Sequence, residues 1–207
     1  MRKSTVRSFI AIEITGEARS SLGRLINYLK QSHIYGLRTV DPETIHLTLK
    51  FLGEIPMHQV DHIAREISNS VEAQNQFHME LGNPGLFPSR ENPRVLWIGL
   101  RKNLHTLKKL HEGINVQLAK SGYMSDTHKF RPHLTIARLK TSSDEAERVL
   151  RTEKLLSTVY NLGIRVNIEA VSLMRSVLHA KGATYYRIAL IYLTGAANKY
   201  KVRPCWD

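Results

Sequence analysis

The chain has 207 residues, 42% of them hydrophobic, enough to bury a substantial core without disulfides. Its single cysteine, Cys205, excludes an intramolecular disulfide framework and any zinc site built from cysteines, and it suits a reducing, cytoplasmic setting. Lys and Arg total 30 against 18 Asp and Glu, a formal net charge of +12 that favours a polyanionic partner, although a merely solvated basic surface has the same composition.

Arg2, Lys3 and Arg7 precede an apolar run, residues 9–14, that is interrupted by Glu13 and too short for a signal segment or a membrane span. No membrane partner is expected. Residues 5–14 read as a strand, followed by Thr15 as an N-cap to a helix with Ala18, Leu22, Leu25, Ile26 and Leu29 on one face. Residues 46–52 form the next strong strand. Pro56 opens a second helix, in which Val60, Ile63, Ala64, Ile67 and Val71 recur at helical spacing.

Residues 77–81 and 94–100 read as strands separated by a loop containing Pro84, Gly85, Pro88 and Pro93. A third helix carries Leu104, Leu107, His111, Ile114 and Leu118 on its inner stripe, with Gly122 as a stop. Residues 133–139 are strand-like, and Ser142 with Glu145 makes a capping box for a fourth helix through Ala146, Val149 and Leu150. Residues 165–174 and 185–193 are the last strands. No linker or low-complexity tract divides the chain, so residues 1–207 are expected to form one unit. The mixed order of strands and helices points to an α+β fold with helices outside largely antiparallel sheet.

Two segments share the pattern His, apolar, Thr, apolar: His46-Leu47-Thr48-Leu49 and His133-Leu134-Thr135-Ile136, each extended by a basic residue, Lys50 and Arg138. The chain's own residue frequencies give roughly 0.1 chance occurrence of such a tetrapeptide, so two are not accidental. Side chains alternate on a strand, which sets each His-Thr pair on one face and the aliphatic pair on the other. If both strands line one cleft, two imidazoles and two hydroxyls converge there. One neutral imidazole can take a proton from water while an imidazolium gives one to a leaving oxygen, and threonine hydroxyls can donate to phosphate oxygens. This chemistry requires no metal and no cofactor.

At these residues the chain resembles the two-histidine phosphoesterases, in particular the bacterial and archaeal group of 2′-5′ RNA ligases and RNA 2′,3′-cyclic phosphodiesterases. The resemblance rests on residues 8–13 (SFIAIE), 45–53 (IHLTLKFLG), 85–88 (GLFP) with 94–97 (RVLW), and 130–138 (FRPHLTIAR). It implies two pseudo-symmetric lobes of mainly antiparallel sheet with outer helices around a central groove. It further implies His46 as proton donor to the leaving oxygen, His133 as the base, Thr48 and Thr135 as phosphate ligands, and a late hairpin that contributes Ser176 and Tyr185. The implied partner is RNA ending in a 2′,3′-cyclic phosphate, tRNA fragments among the candidates, acted on by a monomer. The segment 177–184 departs from the Gly-rich form of the family.

Arg131 and Arg138 flank the second motif and are candidates for RNA phosphates; Trp97 and Tyr123 could stack a base, although Trp97 sits in an apolar strand. His58 and His62, four apart with Glu66 on the same face, read as solvated helix polarity rather than a metal site. Two other functions fit the residues: a basic RNA-binding module without turnover, which would tolerate loss of either histidine, and a phosphodiesterase of a small cyclic nucleotide. The same histidines could also join the cyclic end to a 5′-hydroxyl.

Overall fold

The computed structural model describes residues 4–31, 33–124, 129–140, 163–180, 182–193 and 201–202. The fourth helix expected around Ser142 and Glu145 and the tail carrying Cys205 lie outside the described residues.

The elements run β1 (Thr5–Glu13), α1 (Gly16–Gln31), β2 (Leu37–Thr39), β3 (His46–Pro56), α2 (Val60–Val71), β4 (Phe77–Pro88), β5 (Pro93–Arg101), α3 (Leu104–Lys120), β6 (His133–Leu139), β7 (Arg165–Ile168), β8 (Ala170–His179), β9 (Gly182–Tyr192) and β10 (Lys201–Val202). The strands make one ten-stranded sheet in the order β10-β9-β8-β1-β3-β6-β5-β4-β7, with β2 added to β6. Every pairing is antiparallel. Strands β7 and β8 are joined through Glu169 alone, yet β7 ends the sheet beside β4 while β8 pairs with β1. The sheet must therefore curl until its two sides nearly meet. The single strand expected over 165–174 is thus two, and the break lies where the chain crosses from one side to the other.

One face of the curled sheet carries the main core. Ile10, Ile12, Leu47, Met79, Ile98 and Leu134 from the sheet join Leu22, Ile26, Leu29, Ile63, Ile67, Leu107, Ile114 and Leu118 from the three described helices in one buried cluster. The stripes of α1 and α2 are buried as their spacing predicts, whereas Leu104, assigned to the inner stripe of α3, is exposed and Leu110 is buried in that stripe. Pro56 ends β3 rather than opening α2: a 3₁₀ turn, Met57–Gln59, intervenes. Residues expected as a loop before Pro88 instead continue β4. Pro84 is tolerated there because β7 covers β4 only over Phe77 to Glu80, so the missing N–H meets an open edge beside a register shift. The other face of the sheet is where the two motifs are displayed.

Candidate active site

Strands β3 and β6 meet at a single described pair, Leu47 opposite Leu134, both buried in the main core. Residues directly opposite in an antiparallel pair share a face, and their neighbours point the other way. His46, Thr48, His133 and Thr135 therefore converge on the face away from the core, His46 across from Thr135 and Thr48 across from His133. In regular pairing that diagonal relation sets the two histidines about 7–8 Å apart, their Cβ atoms somewhat closer. All four side chains are half-buried.

Each imidazole is held in the same way. Nδ1 of His46 lies 2.7 Å from the Thr44 carbonyl, and Nδ1 of His133 lies 2.7 Å from the Arg131 carbonyl. A carbonyl only accepts, so Nδ1 carries the hydrogen in both rings. That leaves each Nε2, which has no partner among the described residues, as the nitrogen that takes or gives a proton. The hydroxyls of Thr48 and Thr135 likewise make no hydrogen bond among those residues. Four uncommitted polar groups thus face one opening.

The rings are also wedged by aromatic side chains. His46 sits 4.9 Å from Phe9 and edge-on to Tyr185 at 5.1 Å, and His133 sits edge-on to Phe87 at 4.9 Å and 6.2 Å from Trp97. Tyr185 packs with Phe9, Ala11 and Met174 in a small cluster on this face and lies opposite Ser176 in the β8–β9 hairpin, so that pair does meet beside His46. Trp97, which its apolar strand suggests is core, instead stacks on Phe87 at 5.0 Å and lines the site. Tyr123 lies elsewhere: its hydroxyl donates to Gln59 and its ring packs on the main core.

Each motif strand carries a β-bulge after its threonine. In β3 the register passes from Ala11 opposite Thr48 to Ile10 opposite Lys50, and in β6 from Trp97 opposite Thr135 to Leu96 opposite Ala137. Leu49 and Ile136 are the extra residues, and the next side chain turns to the core. Lys50 and Arg138 are consequently not equivalent, despite the similar basic extensions. Lys50 is 1% exposed and donates to Asn115 Oδ1 at 2.8 Å and to the Met124 carbonyl at 2.6 Å, tying β3 to α3 and to the chain that leads into the second motif. Arg138 stands exposed on the site face, and its counterpart in β3 is Phe51, 66% exposed and 6.1 Å from Phe9.

Glu13 is a polar neighbour to which the sequence pattern assigned no role. It lies opposite His46 in the β1–β3 register and accepts from Arg187 through both carboxylate oxygens, each at 2.7 Å, and from the Ser172 hydroxyl. Burial pushes its carboxyl up, but the Arg187 and Ser172 hydrogen bonds and the Arg187 charge carry it below the usual carboxylate range. His46 is held below the ordinary histidine value, chiefly by burial and further by the charges of His133 and Arg138; its bond to Thr44 and the Glu13 carboxylate oppose that shift. Only the contact across strands sets Glu13 beside His46, since the segment SFIAIE that ends on it carries the resemblance without giving it a role.

The side chain of Arg131 is exposed, and its backbone carbonyl is what orients His133. His62 meets Ser121 and Glu66 accepts from Gln117, both on the far side of the helix layer. Among the described residues no three His, Cys, Asp or Glu side chains gather to hold a metal, and no helix is long and apolar enough to cross a membrane.

Two consecutive segments, residues 12–97 and 98–185, match the family model described as LigT like phosphoesterase. The RNA 2′,3′-cyclic phosphodiesterase of Thermotoga maritima is 31% identical, over 94% of this chain and all of its own length. Among solved structures, a Thermus thermophilus protein superposes with a TM-score of 0.72 at 24% identity, covering 90% of this chain and 97% of its own. Escherichia coli LigT complexed with 3′-AMP superposes with a TM-score of 0.70 at 21% identity, covering 92% and 99%. With both motifs on one face of the curled sheet and the family model matched twice in succession, the chain belongs to the LigT-like family of two-histidine phosphoesterases.

Proposed function

We propose that this chain hydrolyses 2′,3′-cyclic phosphate ends of RNA to 2′-phosphomonoesters by acid–base catalysis between His46 and His133. The observation that carries the reading is the pair of imidazoles, each fixed through Nδ1 to a carbonyl so that its Nε2, like the neighbouring threonine hydroxyl, has no partner among the described residues. Water attacks phosphorus and its proton passes to Nε2 of His133. The P–O3′ bond breaks, and Nε2 of His46 delivers a proton to O3′, leaving the phosphate on O2′. Thr48 and Thr135 donate to the non-bridging oxygens as charge develops there. Turnover leaves His46 neutral and His133 protonated, so the pair exchanges its proton with solvent before the next cycle. The relative with 94% coverage carries the same activity in its name.

The acid is assigned to His46 from the family resemblance, and the Glu13 carboxylate partly offsets the burial that disfavours an imidazolium there. Tyr185 and Phe9 fix the His46 ring, and Tyr185 walls the substrate. Phe51 and Arg138, at matching positions on the two motif strands, offer a stacking face to the terminal nucleotide and a cation to the RNA backbone beside it. Arg131 adds charge at the rim. The twice-matched family model and the matching bulges support two pseudo-symmetric lobes about the groove within one unit, residues 1–207. Because one chain supplies both histidines, a monomer suffices. The lone cysteine suits a cytoplasmic enzyme, and the +12 charge suits RNA such as tRNA fragments.

The direct test is incubation with an RNA ending in a 2′,3′-cyclic phosphate and identification of the isomer formed. A 2′-phosphomonoester is expected, and the rate should be unchanged by EDTA; a 3′-phosphomonoester, or activity lost to EDTA and restored by a divalent cation, contradicts the mechanism.

The pH dependence offers an independent check. The profile of kcat/KM reports the free protein, in which burial and neighbouring cations hold His46 down, whereas kcat reports the bound state, in which the anionic phosphate raises it. Activity that needs a protonated acid is lost as pH rises through that acid's pKa. The high-pH limb of kcat is therefore expected at higher pH than that of kcat/KM. Coincident limbs would mean that the substrate's charge does not sit against the acid.

A further inference from the structure

Strand β2 occupies the same edge of β6 that β3 leaves after Leu134, and it places Arg38 directly opposite Arg138. Both are exposed, and as an opposed antiparallel pair both stand on the site face. The flanking residues Leu37 and Leu139 pack into the main core, which fixes the orientation. Like charges facing each other across a ladder repel, and neither guanidinium has an ion pair or hydrogen bond among the described residues to offset that. On the other side of Arg138 stands Val95, which brings no charge.

Two guanidinium groups side by side, with no carboxylate between them among the described residues, suit an anion. Their position relative to the histidines selects the anion. With Ile136 taken up in the bulge, Arg138 lies one pleat beyond Thr135, about 6–7 Å along the strand, and Arg38 lies one strand further out. That step is comparable with the spacing between neighbouring phosphates on an RNA strand.

We propose that Arg38, paired with Arg138, binds the phosphodiester joining the terminal nucleotide to the one before it, and so makes the enzyme prefer an oligonucleotide to a cyclic mononucleotide. Guanidinium forks suit this role because each can donate two hydrogen bonds to one phosphate, and no base is contacted, so the preference is for chain length rather than sequence. The inference rests on the proposed cyclic phosphodiesterase reaction.

The test compares kcat/KM for adenosine 2′,3′-cyclic phosphate and for a trinucleotide ending in a 2′,3′-cyclic phosphate, in the wild-type protein and in Arg38→Gln and Arg38→Lys. In Arg38→Gln the ratio of trinucleotide to mononucleotide should fall about tenfold, as expected for loss of a hydrogen-bonded charge contact. The log–log salt slope for the trinucleotide should become shallower by about 0.7. Arg38→Lys should restore the slope and only part of the ratio, because it keeps the charge without the fork. A merely structural role would depress both substrates together and leave the ratio unchanged, which overturns the proposal. If the wild-type protein turns over neither substrate, the reaction itself is misassigned and the inference falls with it. Turnover of both by the wild type with an unchanged ratio in Arg38→Gln removes the Arg38 site alone.

Discussion

His46→Ala and His133→Ala are each expected to lower turnover of a cyclic-phosphate RNA by about 10²- to 10⁴-fold, the usual contribution of a positioned proton donor or acceptor. Both rings are half-buried and each is hydrogen-bonded to a carbonyl only two residues away, so removal should leave the fold intact. The double variant should lose far less than the product of the single losses, because a base without its acid still faces the full barrier to expelling O3′. Thr48→Ala and Thr135→Ala should be milder and should act on kcat, since their donors matter most where charge develops. Turnover measured beside a thermal melt separates chemistry from folding. Either histidine variant turning over at the wild-type rate with a wild-type melt would end the two-histidine mechanism, and RNA binding retained with no turnover even in the wild type would favour the basic binding module.

Gly85→Ala is expected to cost stability and activity together. Gly85 lies opposite Trp97, and a Cβ there would stand 2.1 Å from the ring Cζ2 and 2.4 Å from Cη2. No rotamer of an alanine relieves that overlap, so the indole must shift. Phe87 stacks on it at 5.0 Å and His133 lies 6.2 Å away, so any shift disturbs the wall beside His133. Overpacking of this kind costs about 1–3 kcal/mol. For a chain of this size each kcal/mol lowers the melting temperature by about 2–4 °C. Trp97→Phe in the Gly85→Ala background should recover stability, because the smaller ring vacates the space the Cβ needs, and the coupling between the two substitutions is the diagnostic quantity. A Gly85→Ala protein that melts and turns over like the wild type would show that Trp97 is not seated against Gly85.

Much of the local structure is legible in the residues because it depends on local periodicity. The stripes Leu22-Leu25-Ile26-Leu29 and Ile63-Ile67-Val71 define α1 and α2 and are buried as expected, and the two motif strands begin at His46 and His133. What failed locally failed where a neighbouring strand decides. Residues 82–88 carry loop-forming Gly and Pro yet remain in β4 because β5 pairs along them, and residues 165–174 read as one strand but are shared between distant parts of the sheet.

The chemistry of the site was carried by the repeated His-x-Thr, since alternation on a strand is a property of the backbone and forces each imidazole and its hydroxyl onto one face. The sequence by itself thus determined the likeness to two-histidine phosphoesterases and which imidazoles and hydroxyls share a face, on which the proposed acid–base pair and phosphate donors rest. The tertiary structure alone decided what surrounds them. Glu13 meets His46 only through the β1–β3 register, Trp97 and Phe87 reach His133 only across β4, β5 and β6, and Arg38 meets Arg138 only because β2 takes over an edge that β3 leaves. Lys50 and Arg138 have similar places in their motifs and opposite fates, one in the core and one at the opening. A single bulge residue in each strand sets which side chain turns inward, and whether a bulge forms depends on the partner strand, which a linear pattern does not contain.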